Sequence, residues 1–167
     1  MTGFLRASKL IAMADGSGID VSVLTYNMHG MNQGRVLLTE ICAKGSVDVI
    51  LLQEHWLASK ALQQFDAISD NYSHVAVSSM DSSLCNALLT GRPYGGLAIM
   101  YRKQLAKEVK IISTGERMIA VTIGTLLLIN VYFPNTSRTD YKDVCLDILS
   151  DIDSIISTCD AKSVLIG

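Results

Sequence analysis

Three polar side chains stand directly after apolar, strand-like runs. Asn27 follows residues 21–26, Glu54 follows residues 47–52 and Gln53, and Tyr132 follows residues 126–131. An amide, a carboxylate and a phenol at strand ends are groups suited to holding a phosphate beside a hard dication. Hydrolysis of a phosphodiester needs a cation to spread the phosphate charge, donors to orient it and a base for the attacking water. Mg²⁺ takes oxygen ligands, needs few of them from protein and keeps several waters. Glu54 as the carboxylate and Asn27 as its neighbouring amide are therefore a sufficient protein contribution. Taken singly, each residue also has a plain reading. Glu54 reads as a solvated loop residue, Asn27 as a turn former and Tyr132 as a packing aromatic. It is their order along the chain that points to chemistry.

The elements that must position them follow from periodicity. Residues 47–52 are almost continuously apolar, as in a strand buried on both faces. Residues 36–43 have helical spacing and close on Lys44 and Gly45, a cationic last turn before a C′ glycine. Strand, helix and strand joined by short connections predict a parallel crossover and an α/β core. A second helix is expected over 59–68, a short strand over 73–77 and a polar loop over 78–90. Residues 94–101 read as a strand opened by the glycine pair Gly95 and Gly96. Strands are expected at 109–114, 118–123 and 126–133, with Gly124 and Thr125 turning the last two into a hairpin. From 140 to 158, Tyr141, Cys145, Ile148, Ile152, Ile155 and Cys159 form one apolar stripe on a helix. Residues 163–166 read as another buried strand.

The 167 residues suit one domain, and 49% hydrophobic with 18% charged residues excludes disorder. No apolar run approaches the ~20 residues that span a bilayer, so no membrane association is expected and the location expected is nuclear or cytoplasmic. Residues 1–20 are expected to be a loosely ordered leader, and 21–167 the folded portion. Cys42, Cys85, Cys145 and Cys159 show no metal-binding spacing; the simplest account is buried free thiols in a reducing compartment. The net charge of −2 means that attraction to phosphate must be local.

Four segments carry a resemblance to a known family. They are Tyr26-Asn27-Met28-His29-Gly30, Leu51-Leu52-Gln53-Glu54-His55-Trp56-Leu57, Gly91-Arg92-Pro93-Tyr94-Gly95-Gly96-Leu97-Ala98-Ile99 and Asn130-Val131-Tyr132-Phe133-Pro134-Asn135. Together, from about Val21 to Gly167, they resemble the endonuclease/exonuclease/phosphatase superfamily. The likeness is nearest to the endonuclease domain of non-LTR, LINE-type retrotransposons. The resemblance implies a DNase-I-like fold, a two-sheet α/β sandwich of mixed strands flanked by helices. It implies Mg²⁺, with Mn²⁺ as the alternative, bound by Glu54 with Asn27, and DNA held through phosphate contacts without an obligate protein partner. By it, Asn27, Glu54 and Tyr132 are catalytic, while Asn135, Arg92 and Arg138 bind substrate. Arg92 and Arg138 also read as ordinary exposed arginines. Trp56 reads as packing, and His55 is given no role.

The sequence also departs from that family. The strand at 163–166 leads in the family into Gly-Asp-x-Asn, of which Gly167 supplies at most the first residue, and a later Asp-His element is absent. None of His29, His55 and His74 has the position of the missing histidine. The chain therefore reads as the front portion of a Mg²⁺-dependent DNA endonuclease domain, incomplete at its C-terminus and inert or nearly so alone, since a general base and electrostatic groups would be lost together. The alternatives are a phosphatase or phosphodiesterase of the same superfamily acting on a lipid or nucleotide, and a non-catalytic domesticated remnant.

Overall fold

The computed structural model describes residues 20–80 and 94–167, together with two short strands at 5–6 and 12–13. Arg92, Cys85 and most of the polar loop expected at 78–90 lie outside the described residues. The strands are β1 (Leu5–Arg6), β2 (Ala12–Met13), β3 (Asp20–Val21), β4 (Val23–Asn27), β5 (Val49–Gln53), β6 (Tyr72–Val77), β7 (Leu97–Arg102), β8 (Val109–Gly115), β9 (Met118–Ile123), β10 (Leu126–Val131) and β11 (Ser163–Ile166). The long helices are α1 (Met31–Lys44) and α2 (Tyr141–Thr158).

Side-chain alternation sorts these strands into layers. In β5, Val49 and Leu51 point into one apolar cluster, while Ile50 and Leu52 point into another, and all four are fully buried. The first sheet runs β1-β4-β5-β7-β6 and the second β11-β10-β9-β8, with β2 and β3 pairing separately. Val49, Leu51, Leu97 and Ile99 of the first sheet meet Ile119, Val121 and Leu128 of the second, forming the core between them. The outer face of the first sheet is covered by α1, through Leu38 and Cys42, and by Phe65 and Ile68. The outer face of the second is covered by Ile148 and Ile152 of α2. The result is a helix–sheet–sheet–helix α/β sandwich.

Two parallel pairs aim the chemistry. β4 runs parallel to β5 with Asn27 opposite Gln53, and β10 runs parallel to β11. Asn27, Glu54 and Tyr132 thus leave the C-terminal ends of β4, β5 and β10.

Five expectations need correction. The segment predicted as a second helix is a 3₁₀ helix, Ser59–Phe65. It has no side-chain cap and buries only Phe65, so packing of a short loop wins over helical extension. β11 is a half-exposed edge strand rather than a buried one. Its Leu165 turns to the inter-sheet core, but Val164 and Ile166 are 40% and 48% exposed. The strand expected from Tyr94 starts only at Leu97, because Gly95 and Gly96 adopt left-handed backbone (φ 62° and 87°). β10 ends at Val131, before the Phe133-Pro134 step. Of the thiols, Cys42 is buried, whereas Cys145 and Cys159 are partly exposed; none of the three is in a disulfide.

Candidate active site

The loops after β4 and β5 continue the sheet beyond its formal ends. Met28 N–H donates to the Gln53 carbonyl (2.8 Å), Gly30 N–H to the Glu54 carbonyl (2.7 Å) and Met31 N–H to the His55 carbonyl (2.9 Å). This zipper fixes the segment after Asn27 against the segment carrying Glu54. It also bends both. His29, Glu54 and Trp56 hold φ of 56°, 56° and 58°, and among the described residues they are the only non-glycines with positive φ. Such backbone costs on the order of 1–3 kcal/mol per residue and persists only where surroundings over-determine it. Gly30 (φ 96°) shows the constraint directly, since a Cβ there would lie 2.5 Å from the Trp56 ring.

Within this frame the predicted residues meet. Asn27 Nδ2 donates to Glu54 Oε1 at 2.9 Å, and Asn27 Oδ1 accepts the His29 N–H at 3.1 Å. The other carboxylate oxygen, Oε2, lies 3.5 Å from His29 Nδ1. Tyr132 approaches Glu54 from the second sheet; burial first, then the neighbouring Glu54 carboxylate, push its phenol up to about 12, against the opposing charge of Arg117. The phenol therefore remains a proton donor at neutral pH. Its backbone is held in place too, as Tyr132 N–H donates to the Arg117 carbonyl at 2.9 Å.

Beneath these groups lies a buried amide bridge that residue-by-residue reading missed. Asn130, fully buried on β10, donates from Nδ2 to the carbonyls of Leu52 and Ala98, each at 2.9 Å. Its Oδ1 accepts from Gln53 Nε2 at 2.6 Å, which also reaches Thr25 Oγ1 at 3.1 Å. One side chain of the second sheet is thereby tied to β5 and β7 of the first, beside Glu54 and Tyr132. A polar residue inside the apolar run 126–131 was the available signal, because a buried amide demands partners.

His55, assigned no role on sequence grounds, is a fully buried clip. Its Nδ1 accepts the Leu57 N–H at 3.0 Å, so its Nε2 carries the proton donated to the Val77 carbonyl at 3.0 Å. Burial lowers its pKa, opposed by hydrogen bonds to the Val77 and Leu97 backbone. The ring packs on Gly96, where a Cβ would come within 2.4 Å of it. Trp56, read as packing, is partly exposed and its ring lies 5.6 Å from that of His29.

A cleft of about 260 Å³ opens beside Tyr132, lined by Tyr94, Pro134, Asn135, Arg117 and Arg138 among others. Asn135 is exposed and closes its own turn, its Oδ1 accepting from the N–H and hydroxyl of Ser137. Arg138 reaches the cleft while its guanidinium is held by both Asp140 oxygens, at 2.8 and 2.6 Å. That pair raises the arginine pKa and lowers the aspartate. Arg117, absent from the sequence-based set, sits in the β8–β9 turn, where an arginine alone carries no sequence signal.

The donor set is compatible with a hard dication. The Glu54 side chain is only slightly exposed (15%) and its Oε2 lies 3.5 Å from His29 Nδ1. Among the described residues no third His, Cys, Asp or Glu joins these two. Such a site would leave most coordination positions to water, as Mg²⁺ tolerates.

The fold is thus a two-sheet α/β sandwich whose strand ends carry an amide, a carboxylate and a phenol. A profile described as the Endonuclease/Exonuclease/phosphatase family matches residues 24–167, and the chain belongs to that family. The fold is similar to an AP endonuclease from Archaeoglobus fulgidus (TM-score 0.57, 16% identity, covering 83% of this chain and 52% of that one). It is also similar to the 3'-5' exonuclease NExo from Neisseria meningitidis (TM-score 0.58, 20% identity, 86% and 56%). A second structure, a variant described as the 3' phosphatase NExo from Neisseria bound to a product DNA hairpin, gives TM-score 0.57 at 19% identity, with 86% and 56% covered. The chain spans about half the length of these structures. No curated protein matches it.

Proposed function

We propose that this chain supplies the cation- and phosphate-holding part of a DNA phosphodiesterase site, of the retrotransposon-endonuclease kind that its four motifs resemble. The observation that carries this reading is the convergence on Glu54, which receives Asn27 from one strand end and Tyr132 from the opposite sheet. A dication bound at Glu54 would draw charge from a phosphate oxygen and lower the pKa of a bound water. The chain's own residues do the rest. Asn27 and Tyr132 orient the carboxylate, and the neutral Tyr132 hydroxyl can turn its proton to a phosphate oxygen. Asn135, Arg138 and Arg117 line the cleft along which a sugar-phosphate backbone would run, and Arg92 belongs to the same substrate-binding set. No second carboxylate stands by Glu54 among the described residues, so these groups bind and orient, and a base for the attacking water is not among them.

The test is fluorescence anisotropy of a labelled DNA duplex with and without Mg²⁺ or Mn²⁺. Affinity should rise with the dication and fall with monovalent salt. Glu54→Gln should remove the dication dependence, and vesicles bearing phosphoinositide should compete poorly. Equal DNA affinity with and without dication, or an unchanged response in Glu54→Gln, would sink the proposal; better competition by the vesicles would move the substrate to lipid.

A further inference from the structure

We propose that His29 is a second cation ligand beside Glu54, and that its imidazole turns the site toward a first-row transition-metal dication in preference to Mg²⁺. This rests on the cation-binding reading of Glu54 given above and adds to it a residue and a class of metal.

The geometry is specific. His29 Nδ1 and Glu54 Oε2 are 3.5 Å apart. Metal–nitrogen and metal–oxygen bonds of roughly 2.0–2.2 Å let one ion bridge two donors at that separation. Glu54 Oε1 is engaged by Asn27, which leaves Oε2 as the oxygen facing the imidazole. The placement of His29 is enforced rather than incidental. Its left-handed backbone (φ 56°) is held by the N–H bond to Asn27 Oδ1, and its ring is backed by Trp56. The side chain is 62% exposed, so the nitrogen is reachable from solvent. Imidazole favours transition metals, along the series that rises from Mn²⁺ to Cu²⁺, whereas Mg²⁺ selects oxygen and surrenders water reluctantly. A carboxylate–imidazole pair is therefore a poorer match to Mg²⁺ than a carboxylate–amide pair, and a better match to Co²⁺ or Zn²⁺.

The protein carries its own probe. Trp56 is the single tryptophan of the chain and lies against His29. Its fluorescence is followed while the purified protein is titrated with CoCl₂ and, separately, with MgCl₂; the visible absorption of Co²⁺ gives a second readout. The variants are His29→Asn, which tolerates the left-handed backbone, His29→Ala and Glu54→Gln. Co²⁺ should bind at least ~10-fold more tightly than Mg²⁺ to the unaltered protein. Both His29 variants should lose at least ~10-fold of the Co²⁺ affinity and keep that for Mg²⁺. Glu54→Gln should lose both ions. If the His29 variants keep their Co²⁺ affinity, or lose both ions equally, the imidazole is not the selecting ligand and the proposal is overturned, while Glu54 stands. If Glu54→Gln still binds either ion at this tryptophan, the underlying cation-site reading fails with it.

Discussion

Asn130 shows how much of the site depends on one residue with no chemistry of its own. It satisfies the carbonyls of Leu52 and Ala98 and the amide of Gln53 in a place that water does not reach. Replacing it by leucine keeps the volume but strands those partners, each costing about 1–3 kcal/mol when buried and unsatisfied. Asn130→Leu is expected to lower unfolding stability by on the order of 3 kcal/mol, read as a shift in denaturant midpoint at constant slope. An unchanged midpoint would mean that the bridge contributes nothing net. His55 makes a prediction in pH. Its folded pKa is depressed below the ordinary 6.5, so below that pH the unfolded chain binds the proton that the native state refuses. The stability contributed is present above about pH 6.5 and lost as pH falls toward the folded pKa, by up to about 1.4 kcal/mol per pH unit. His55→Gln should be less stable at pH 8 but lose less between pH 6.5 and 5; parallel profiles would exclude His55 as the source.

At the scale of elements, legibility followed burial. Residues 47–52 could be read directly, because a strand covered on both faces leaves a continuous apolar run, and β5 is buried throughout. The stripe of α2 was readable for the same reason, with Ile148 and Ile152 committed to the second sheet. Elements whose form is set by neighbours were not. The segment after Ser59 carries helix-forming residues, yet the packing of Phe65 under the first sheet fixes a 3₁₀ turn. Asn27, Glu54 and Tyr132 were visible because each stands at or just past a strand end; Asn130 was marked only by its polarity inside an apolar run, whereas Gln53, His55 and Arg117 act through contacts that leave no local pattern. The loop geometry around Gly96 also belongs to this scale. Its φ of 87° and the 2.4 Å approach of a Cβ to His55 both reject a side chain. Gly96→Ala is expected to cost more than about 1 kcal/mol and to loosen the Glu54 loop, seen as faster hydrogen exchange at Trp56 and Leu57. Unaltered exchange there would uncouple the clip from the loop.

Across the whole molecule, the two sheets are sealed differently. The inter-sheet core and both outer faces are apolar and buried around β5, β7, β9 and β10. The second sheet is more open. β11 carries Val164 and Ile166 at 40% and 48% exposure, and α2 turns Leu146 and Leu149 outward at 64% and 51%. An edge strand with apolar side chains is a template for pairing with another chain. The protein is therefore expected to self-associate as concentration rises. Ile166→Lys should suppress this in sedimentation velocity without altering the melting transition; association that persists in the variant would place the contact elsewhere. No described helix is long and apolar enough to cross a membrane.

The central claim is that a dication is anchored by the Glu54 carboxylate, steadied by Asn27 and Tyr132 at the joined ends of two sheets. Anomalous diffraction from crystals soaked in MnCl₂ addresses it without reliance on turnover. One dominant anomalous peak is expected within ordinary bonding distance of a Glu54 oxygen, absent from Glu54→Gln crystals treated identically. A dominant peak remote from Glu54, or one that survives the substitution, would contradict it.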